Sequence, residues 1–389
     1  MKQIIMEKTI RLLEKYVKPN SIIVRSPGRI NLIGEHTDYN DGFVLPAAID
    51  KAAYVSLTPR EDEEIHLHAI DLKETYITTV NTFHPVDKPN WPNYLLGVAA
   101  QFIKAGISLK GFDVALVADI PMGAGLSSSA AVECAMAFAL NEYTHAGFDK
   151  LALVKMAQKA EHEYAGVKCG IMDQFASVFG KKNNVVRLDC RSLQYEYEPF
   201  DISGYKIVLL DTNIKHSLAS SEYNIRRQQC EAGVAMIQPH HPEIKSLRDV
   251  TVTMLDKYVR LIDDLIYKRC KYVVEENRRL LGACDDLKKG DLKSFGRKMF
   301  ATHEGLSKLY EVSCTELDFL AEQVSRNENV LGARMMGGGF GGCTINIVKE
   351  EAVDNLIEQV EKSYRKAMHK ELKAYAAQIE DGTTIVSSR

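Results

Sequence analysis

The chain has 389 residues, which is more than one hydrophobic core usually holds, so two domains are expected. Hydrophobic residues make up 46% and charged residues 26% of the chain, a balance typical of globular proteins that excludes a disordered or fibrous class. Because the formal net charge is only −3, no long-range attraction to nucleic acid or to anionic lipid is expected.

The N-terminal segment, residues 1–17, mixes charged residues into an apolar pattern with helical spacing. This pattern predicts an amphipathic helix and not a secretory signal, whose apolar centre is unbroken. The most apolar helical stretch, residues 130–140, falls short of the ~20 residues of a membrane span and contains Glu133. The eight cysteines are scattered without paired spacing, which favours free thiols in a reducing compartment. We therefore expect a cytoplasmic protein with no membrane partner.

Strands and helices alternate through the first half of the chain. Period-two alternation and runs of β-branched residues predict strands at residues 21–25, 52–59, 64–69, 76–80, 112–120, 184–188 and 205–211. Helical spacing predicts helices at residues 91–104, 128–143, 150–164 and 171–179.

From Glu222 onward the pattern is mainly helical. It predicts helices at residues 269–281, 292–310, 316–326 and 350–366, a strand at residues 343–348 and a short strand at the end of the chain. A strand-rich half followed by a helix-rich half indicates an α+β protein. We place the boundary between residues 199 and 204, which gives an N-terminal domain of residues 1–200 and a C-terminal domain of residues 201–389.

The first glycine loop, residues 121–131 (PMGAGLSSSAA), connects a predicted strand to a predicted helix. At such a junction, free backbone N–H groups and the positive end of the helix dipole favour an anion. Gly123 and Gly125 remove side chains that would keep a phosphate away from the backbone, and three consecutive serines add hydroxyls. A serine also caps helices, but three in a row exceed that need, so phosphate binding is favoured. The loop has no lysine and is therefore not a Walker-type loop.

The second glycine loop, residues 336–342 (MGGGFGG), formally contains the dinucleotide-binding spacing G-x-G-x-x-G. However, a strand follows the glycines, no clear strand precedes them and no helix opens on them, so we reject a dehydrogenase. Five glycines in six residues predict a close approach of this backbone to another group.

Residues 26–46 (SPGRINLIGEHTDYNDGFVLP) gather an arginine, an imidazole and several carboxylates into a segment that glycine and proline make loop-like. Burying these groups is costly unless they satisfy one another or a ligand. Carboxylate and imidazole groups are suited to the hydroxyls of a sugar. Taken alone, the segment is as consistent with a self-satisfied surface turn as with a sugar site.

In this order and at these positions, the three segments resemble the signature motifs of the GHMP kinases, which include galactokinases and homoserine, mevalonate and phosphomevalonate kinases. The string GRINLIGEHTDY is similar to the form of the first motif in galactokinases, and the resemblance extends through KCGIMDQFAS and SSEYNIRRQQC. It covers nearly the whole chain, and the length is similar to that of bacterial galactokinases. The resemblance implies a two-domain α+β fold with the active site in the cleft between domains. It also implies an enzyme that phosphorylates galactose at the anomeric hydroxyl with ATP.

The resemblance further implies a set of site residues. Asp173 matches the catalytic aspartate and Arg29 the arginine that faces it, whereas Ser129 and Glu161 match the pair that holds Mg²⁺. The residues that match sugar-binding positions are Glu35, His36, Thr37, Asp38 and Tyr223. The residues that match ATP-binding positions are Trp91, Gly123, Ala124, Gly125, Leu126, Ser127, Ser128 and Ser129. Galactose, ATP and Mg²⁺ are thus the implied ligands.

Two alternatives remain open. One is a related sugar 1-kinase, for N-acetylgalactosamine or another galactose-like sugar, since the residues facing the C2 substituent are not assignable from sequence. The other is a non-catalytic sensor of sugar and ATP, which the intact serine run together with Asp173 and Arg29 disfavours. The near-neutral charge and the absence of a coiled-coil pattern lead us to expect a monomer.

Overall fold

The computed structural model describes Thr9, residues 11–214 and residues 219–388. The predicted N-terminal helix therefore lies mostly outside the described residues, although residues 11–14 are helical. Within the described part, the strands are β1 (Ile22–Asn31), β2 (Phe43–Val44), β3 (Pro46–Pro59), β4 (Glu64–Ala69), β5 (Glu74–Thr79), β6 (Phe112–Ala118), β7 (Asn184–Asp189), β8 (Tyr195–Pro199), β9 (Tyr205–Asp211), β10 (Val330–Met335), β11 (Cys343–Lys349), β12 (Lys373–Ala377) and β13 (Thr384–Ser388).

The α-helices of the described part are α1 (Pro92–Lys104), α2 (Ser128–Thr144), α3 (Lys150–Ala160), α4 (Met172–Phe179), α5 (Ala219–Ile237), α6 (Val252–Tyr258), α7 (Asp264–Lys288), α8 (Leu292–Gly305), α9 (Thr315–Ser325) and α10 (Val353–Met368). Helices α3 and α8 each continue into a π-helical segment, which is Glu161–Ala165 after α3 and Leu306–Tyr310 after α8. The fold is thus α+β, as the sequence predicts. No helix in the described residues has the length and apolar character needed to cross a membrane.

Three sheets organise the molecule. The largest has the strand order β13-β1-β3-β6-β4-β5, and the others have the orders β10-β11-β9-β12 and β2-β7-β8. Neighbouring strands are antiparallel except for β4 and β6, which are parallel. Strand β13, near the end of the chain, pairs with β1, near its beginning.

Helix α2 packs against β1 and β3 of the large sheet. Its buried face consists largely of small side chains, among them Ala130, Ala131, Ala135 and Ala139, each fully buried. Such small side chains let the helix approach the sheet closely in a core packed at interior density. The packing fixes the N-terminal end of α2 beside β1, and the candidate site is built at this junction.

The prediction of a loop from residue 26 onward is wrong for residues 26–31, because β1 continues to Asn31. A bulge between Pro27 and Arg29 in the pairing of β1 with β3 accommodates the residues that suggested a loop. At Gly28, a Cβ would lie 2.8 Å from the Leu126 carbonyl oxygen, so the absent side chain lets β1 approach the first glycine loop. The Arg29 N–H then donates to that same carbonyl at 3.1 Å.

The expectation that no strand precedes the second glycine loop is also wrong, because β10 ends at Met335. Gly332 and Arg334 weaken the strand pattern locally, since neither residue favours a strand by propensity. Strands β10 and β11 form an antiparallel pair on either side of the loop. The connection is therefore a hairpin, and the dinucleotide-binding arrangement of strand, glycines and helix does not occur there.

Candidate active site

A cavity of about 230 Å³ lies where the end of β1 and the following loop meet the start of α4, helix α5 and the second glycine loop. It brings together residues from both halves of the chain. The lining residues are Arg29, Glu35, His36, Asp38, Glu161, Val167, Cys169, Met172, Asp173, Tyr223, Gly337 and Gly338.

Arg29 and Asp173 face each other in this cavity. The Arg29 guanidinium donates from Nε to Asp173 Oδ1 at 2.8 Å and from Nη2 to Oδ2 at 3.0 Å. Its Nη1 donates to the Gly125 carbonyl at 2.6 Å, and the Ser127 hydroxyl donates to Asp173 Oδ2 at 2.5 Å. The carboxylate is thus held in one orientation by a bidentate arginine and by the first glycine loop.

The Arg29 side chain is almost fully buried. Burial acts to lower the pKa of Arg29, but the charges of Asp173 and Glu35 outweigh it, and the pKa is raised. The guanidinium therefore remains charged within the site.

Glu35 also lines the cavity, and its charge interacts with that of Arg29. Its Oε2 accepts hydrogen bonds from Arg334 Nη2 at 2.7 Å and from the Gly337 N–H at 3.0 Å. Burial acts to raise the pKa of Glu35, but the charges of Arg334 and Arg29 outweigh it and lower that pKa. Arg334 has no exposed surface and also donates to the carbonyls of Leu32 and Asn31. A buried ion pair thus ties the sugar-binding candidate to β10 and the second glycine loop.

Asp38 is buried close to Asp173. The backbone N–H groups of Tyr39 and Met172 donate to its carboxylate, and a Cβ at Gly170 would collide with that carboxylate. Burial and the charge of Asp173 raise the pKa of Asp38 to about 7. This carboxyl group therefore changes its protonation state near neutral pH.

The raised pKa of Asp38 predicts a loss of stability as pH rises. Between about pH 4 and pH 7 the folded protein keeps a proton that the unfolded chain has lost, so the free energy of unfolding falls as pH rises through this range and levels off above pH 7. Between pH 6 and pH 8 we expect a loss of about 1.4 kcal/mol from this group. Urea unfolding of wild type and Asp38→Asn at both pH values measures it. Equal pH dependence of the two proteins would contradict the prediction.

His36 lines the cavity with one ring nitrogen unsatisfied. Its backbone has a φ of 61°, and its Nδ1 lies 2.7 Å from the Tyr39 hydroxyl. The buried Nε2 has no hydrogen-bond partner. The ring of Tyr223 lies 5.3 Å from the His36 ring, centre to centre. Tyr223 thus forms an aromatic wall beside a ring nitrogen that makes no hydrogen bond of normal geometry to the described residues.

The Ser129 hydroxyl donates to the Glu161 carboxylate. Glu161 Oε2 also accepts from Gln174 Nε2 at 2.7 Å, and the same amide nitrogen donates to Glu133 Oε2 at 3.1 Å. Burial, followed by the charge of Asp173, raises the pKa of Glu161. Burial and the charge of Glu161 raise the pKa of Glu133 well above its usual range. Two buried carboxyl groups therefore share one amide beside the cavity.

The first glycine loop adopts a conformation that exposes its backbone. Gly123, Gly125 and Ser127 have φ values of 78°, 73° and 57°, all in the left-handed region that favours glycine. No side chain caps α2, so its first N–H groups are available to an anion. The alternative in which a serine of this loop caps the helix is therefore wrong, since the residue at the cap position, Ser127, donates its hydroxyl to Asp173.

The second glycine loop approaches the backbone of the first one. A Cβ on Gly125 would lie 3.0 Å from the Met336 carbonyl oxygen, and one on Gly337 would lie 3.2 Å from the Gly125 carbonyl oxygen. The close approach predicted from the glycine cluster is thus made to the first glycine loop.

Nine of the predicted site residues are not among those that line this cavity: Thr37, Trp91 and the seven residues 123–129 of the first glycine loop. The Thr37 hydroxyl lies within hydrogen-bond distance of the carbonyl oxygens of Gly34 and Phe43, at 2.9 and 2.5 Å, so it stabilises the loop. Trp91 lies directly before α1, where its indole N–H donates to Glu74 at 2.6 Å.

Sequence reasoning missed several residues of the site. No motif singled out Arg334, Gln174 or Glu133. Tyr310 lies far along the chain from Tyr39, although the two hydroxyl oxygens are 2.7 Å apart. The one usable signal was Gln174, which directly follows Asp173 in the quoted string.

Three family models match the chain. Residues 13–59 match the galactokinase galactose-binding signature, residues 93–181 the GHMP kinases N terminal domain, and residues 283–366 the GHMP kinases C terminal domain.

Curated relatives match over nearly their full length. The galactokinase of Thermotoga maritima is 44% identical over 360 residues, which cover 92% of this chain and 98% of the relative. The galactokinase of Clostridium beijerinckii is 41% identical over 372 residues, which cover 95% of each chain.

Solved structures of kinases are also similar to this chain. The crystal structure of Lactococcus lactis galactokinase complexed with galactose has a TM-score of 0.92 and 35% identity, and the match covers 98% of this chain and 100% of that one. The mevalonate kinase of Methanococcus jannaschii has a TM-score of 0.64 at 18% identity, covering 92% of this chain and 98% of that chain, and shows a shared fold alone.

Proposed function

Since this chain belongs to the galactokinase family of the GHMP kinases, we propose that it transfers the γ-phosphoryl group of ATP to the anomeric hydroxyl of galactose, giving galactose 1-phosphate and ADP. The observation that carries the proposal is the contact of Arg29 and Asp173, which line the cavity, with each other and with the first glycine loop. A phosphate-binding backbone and an oriented carboxylate there flank the space for an acceptor hydroxyl.

Asp173 is the proposed proton acceptor. Of its two oxygens, Oδ2 accepts from both Arg29 and Ser127, whereas Oδ1 accepts only from Arg29 Nε among its described hydrogen bonds. A carboxylate oxygen has two lone pairs, so Oδ1 keeps one free for the proton of the sugar hydroxyl. Phosphoryl transfer has a loose transition state, so most of the catalysis comes from holding this hydroxyl in line with the phosphate.

Arg29 is the proposed charge stabiliser. Its planar guanidinium reaches Asp173 with two nitrogens and Gly125 with the third. It therefore joins the acceptor side of the site to the phosphate side, and it supplies a fixed positive charge where negative charge moves during transfer.

The Arg29→Lys variant tests this role. A lysine keeps the charge but makes neither the bidentate contact nor the bridge to Gly125. Loss of one or two charge-assisted hydrogen bonds predicts a kcat about 10- to 100-fold lower. Steady-state kinetics with both substrates saturating gives kcat, and circular dichroism checks the fold. A kcat close to wild type would show that a planar guanidinium is not required.

Ser129 and Glu161 are the proposed ligands of Mg²⁺. Their hydroxyl and carboxylate are in contact and provide the oxygen atoms that this ion prefers. Asp173 adds further negative charge nearby, which a divalent cation would offset. The residues present therefore fit the ion. When bound together with ATP, Mg²⁺ would neutralise charge on the phosphates.

Glu35, His36, Asp38 and Tyr223 are the proposed sugar-binding residues. Glu35 and Asp38 offer acceptors and His36 a ring nitrogen to the hydroxyls of the sugar, whereas the aromatic face of Tyr223 suits its apolar C–H surface.

We further propose the domains 1–200 and 201–389, because the matched N-terminal and C-terminal family models lie on either side of that boundary.

A coupled ADP-release assay over a panel of sugars tests the proposed function. We expect turnover of galactose by the purified protein alone, with Asp173→Asn as the blank. Faster turnover of N-acetylgalactosamine than of galactose would favour the related sugar kinase. Absence of turnover with every sugar, combined with binding of galactose and ATP, would favour a sensor.

A further inference from the structure

A chain of hydrogen bonds leads from His36 away from the cavity. His36 Nδ1 lies 2.7 Å from the Tyr39 hydroxyl, which lies 2.7 Å from the Tyr310 hydroxyl. The Tyr310 hydroxyl in turn lies 3.2 Å from Cys230 Sγ. These four side chains come from the loop after β1, from α5 and from the π-helical segment after α8. The chain of contacts therefore crosses both halves of the molecule and ends at a ring that lines the sugar pocket.

All four groups along this chain are uncharged near neutral pH. Burial raises the pKa of Cys230 to about 11, and it raises the pKa values of Tyr39 and Tyr310 well above their usual range. Burial lowers the pKa of His36 to about 4. The imidazole is therefore neutral, with one ring nitrogen as donor and the other as acceptor.

The Cys230 end determines the direction of the donors. Sulfur is a weak acceptor, so the Tyr310 hydroxyl donates in preference to the Tyr39 hydroxyl oxygen at 2.7 Å, and the Cys230 S–H is left to donate to the Tyr310 hydroxyl oxygen at 3.2 Å. If the thiol donates to Tyr310, each hydroxyl donates to the next group. Tyr310 then donates to Tyr39, and Tyr39 donates to His36 Nδ1. The opposite direction would spend the Tyr310 hydroxyl proton on the weak sulfur acceptor and leave the S–H without a described acceptor.

We propose that Tyr39, Tyr310 and Cys230 are positioning residues that hold His36 as the Nε2–H tautomer, so that Nε2–H donates to a hydroxyl oxygen of the bound sugar. The identity of the ligand rests on the proposed function, whereas the tautomer does not. The buried Nε2 makes no hydrogen bond of normal geometry to the described residues, so a sugar oxygen would satisfy it better than the Gly338 backbone, which acts to raise the pKa of His36. The Glu35 carboxylate, whose pKa is lowered, can only accept from the sugar, so His36 supplies a donor of opposite polarity.

Nitrogen NMR of selectively labelled histidine reads the tautomer directly in the protein without substrate. We expect the His36 signals, identified by their loss in His36→Asn, to show a protonated Nε2 and an unprotonated Nδ1. The Tyr39→Phe variant removes the donor to Nδ1 and should give a mixture of tautomers. A protonated Nδ1 in wild type, or an unchanged tautomer in Tyr39→Phe, would overturn the proposal.

Kinetics separate positioning from general structural damage. For Tyr310→Phe and Cys230→Ala we expect the KM for galactose to rise about 3- to 10-fold, with the KM for ATP unchanged. Cys230→Ser keeps a donor at that position and should retain the wild-type tautomer and KM. The matched control is Tyr267→Phe, which loses a hydroxyl bonded to Asp256 in the same core cluster and should change neither KM.

The outcomes distinguish the two proposals. If the protein does not phosphorylate galactose but His36 carries its proton on Nε2, the proposed function fails and the hydrogen-bond chain stands. If galactose is phosphorylated but both KM values rise together in Tyr310→Phe, or Cys230→Ser behaves like Cys230→Ala, the positioning role fails.

Discussion

Replacement of Asp173 by asparagine is expected to lower kcat by about 10²- to 10⁴-fold. The variant keeps the shape of the side chain but loses the carboxylate that we propose as acceptor of the proton of the sugar hydroxyl. It also presents an amide N–H₂ group to the donors of Arg29 and Ser127, which now hold the carboxylate at 2.5 to 3.0 Å. The orientation of the acceptor is therefore lost together with its charge.

Stopped-time assays of ADP and sugar phosphate at saturating substrates measure this effect. The control variant is Asp201→Asn, which changes an exposed carboxylate bonded to Ser203 and should leave kcat unchanged. Circular dichroism and nucleotide binding establish that Asp173→Asn is folded. A folded variant that retains more than a tenth of the wild-type kcat would contradict the role of Asp173 as proton acceptor.

Replacement of Arg334 by methionine is expected to lower the free energy of unfolding by about 3–5 kcal/mol. Arg334 and Glu35 are both buried, and removal of one partner leaves the other charge unpaired in the interior. The carbonyl oxygens of Leu32 and Asn31 lose a donor as well. Because Glu35 lines the cavity that we propose as the sugar site, we also expect weaker galactose binding in the protein that remains folded.

Urea unfolding of Arg334→Met and of a matched surface variant measures the difference. In Arg326→Met, an exposed arginine loses its contact with Glu322 one turn away, and a loss below about 1 kcal/mol is expected. The double variant Arg334→Met with Glu35→Gln removes the unpaired charge and should recover part of the stability. Equal losses for the two arginine variants would show that the buried pair has no special role.

Much of the local structure follows from patterns within a few residues. The helices α1, α2 and α4 and the strands β4, β6 and β9 lie within a few residues of their predicted positions, because apolar periodicity and flanking glycines act locally. Predictions failed where tertiary contacts override propensity. Strand β1 passes through Pro27 and Gly28 because its bulge and the nearby Leu126 carbonyl accommodate them.

The sequence by itself determined the α+β class, the glycine loop at the start of α2 and the residue types of the site, since each depends on neighbours in the chain. Only the tertiary structure decided which distant residues meet. Glu35 and Arg334 are 299 positions apart, and the hydroxyls of Tyr39 and Tyr310 belong to residues 271 positions apart. The physical reason is that strand register and helix packing place such partners, and no spacing within one segment specifies a contact with another.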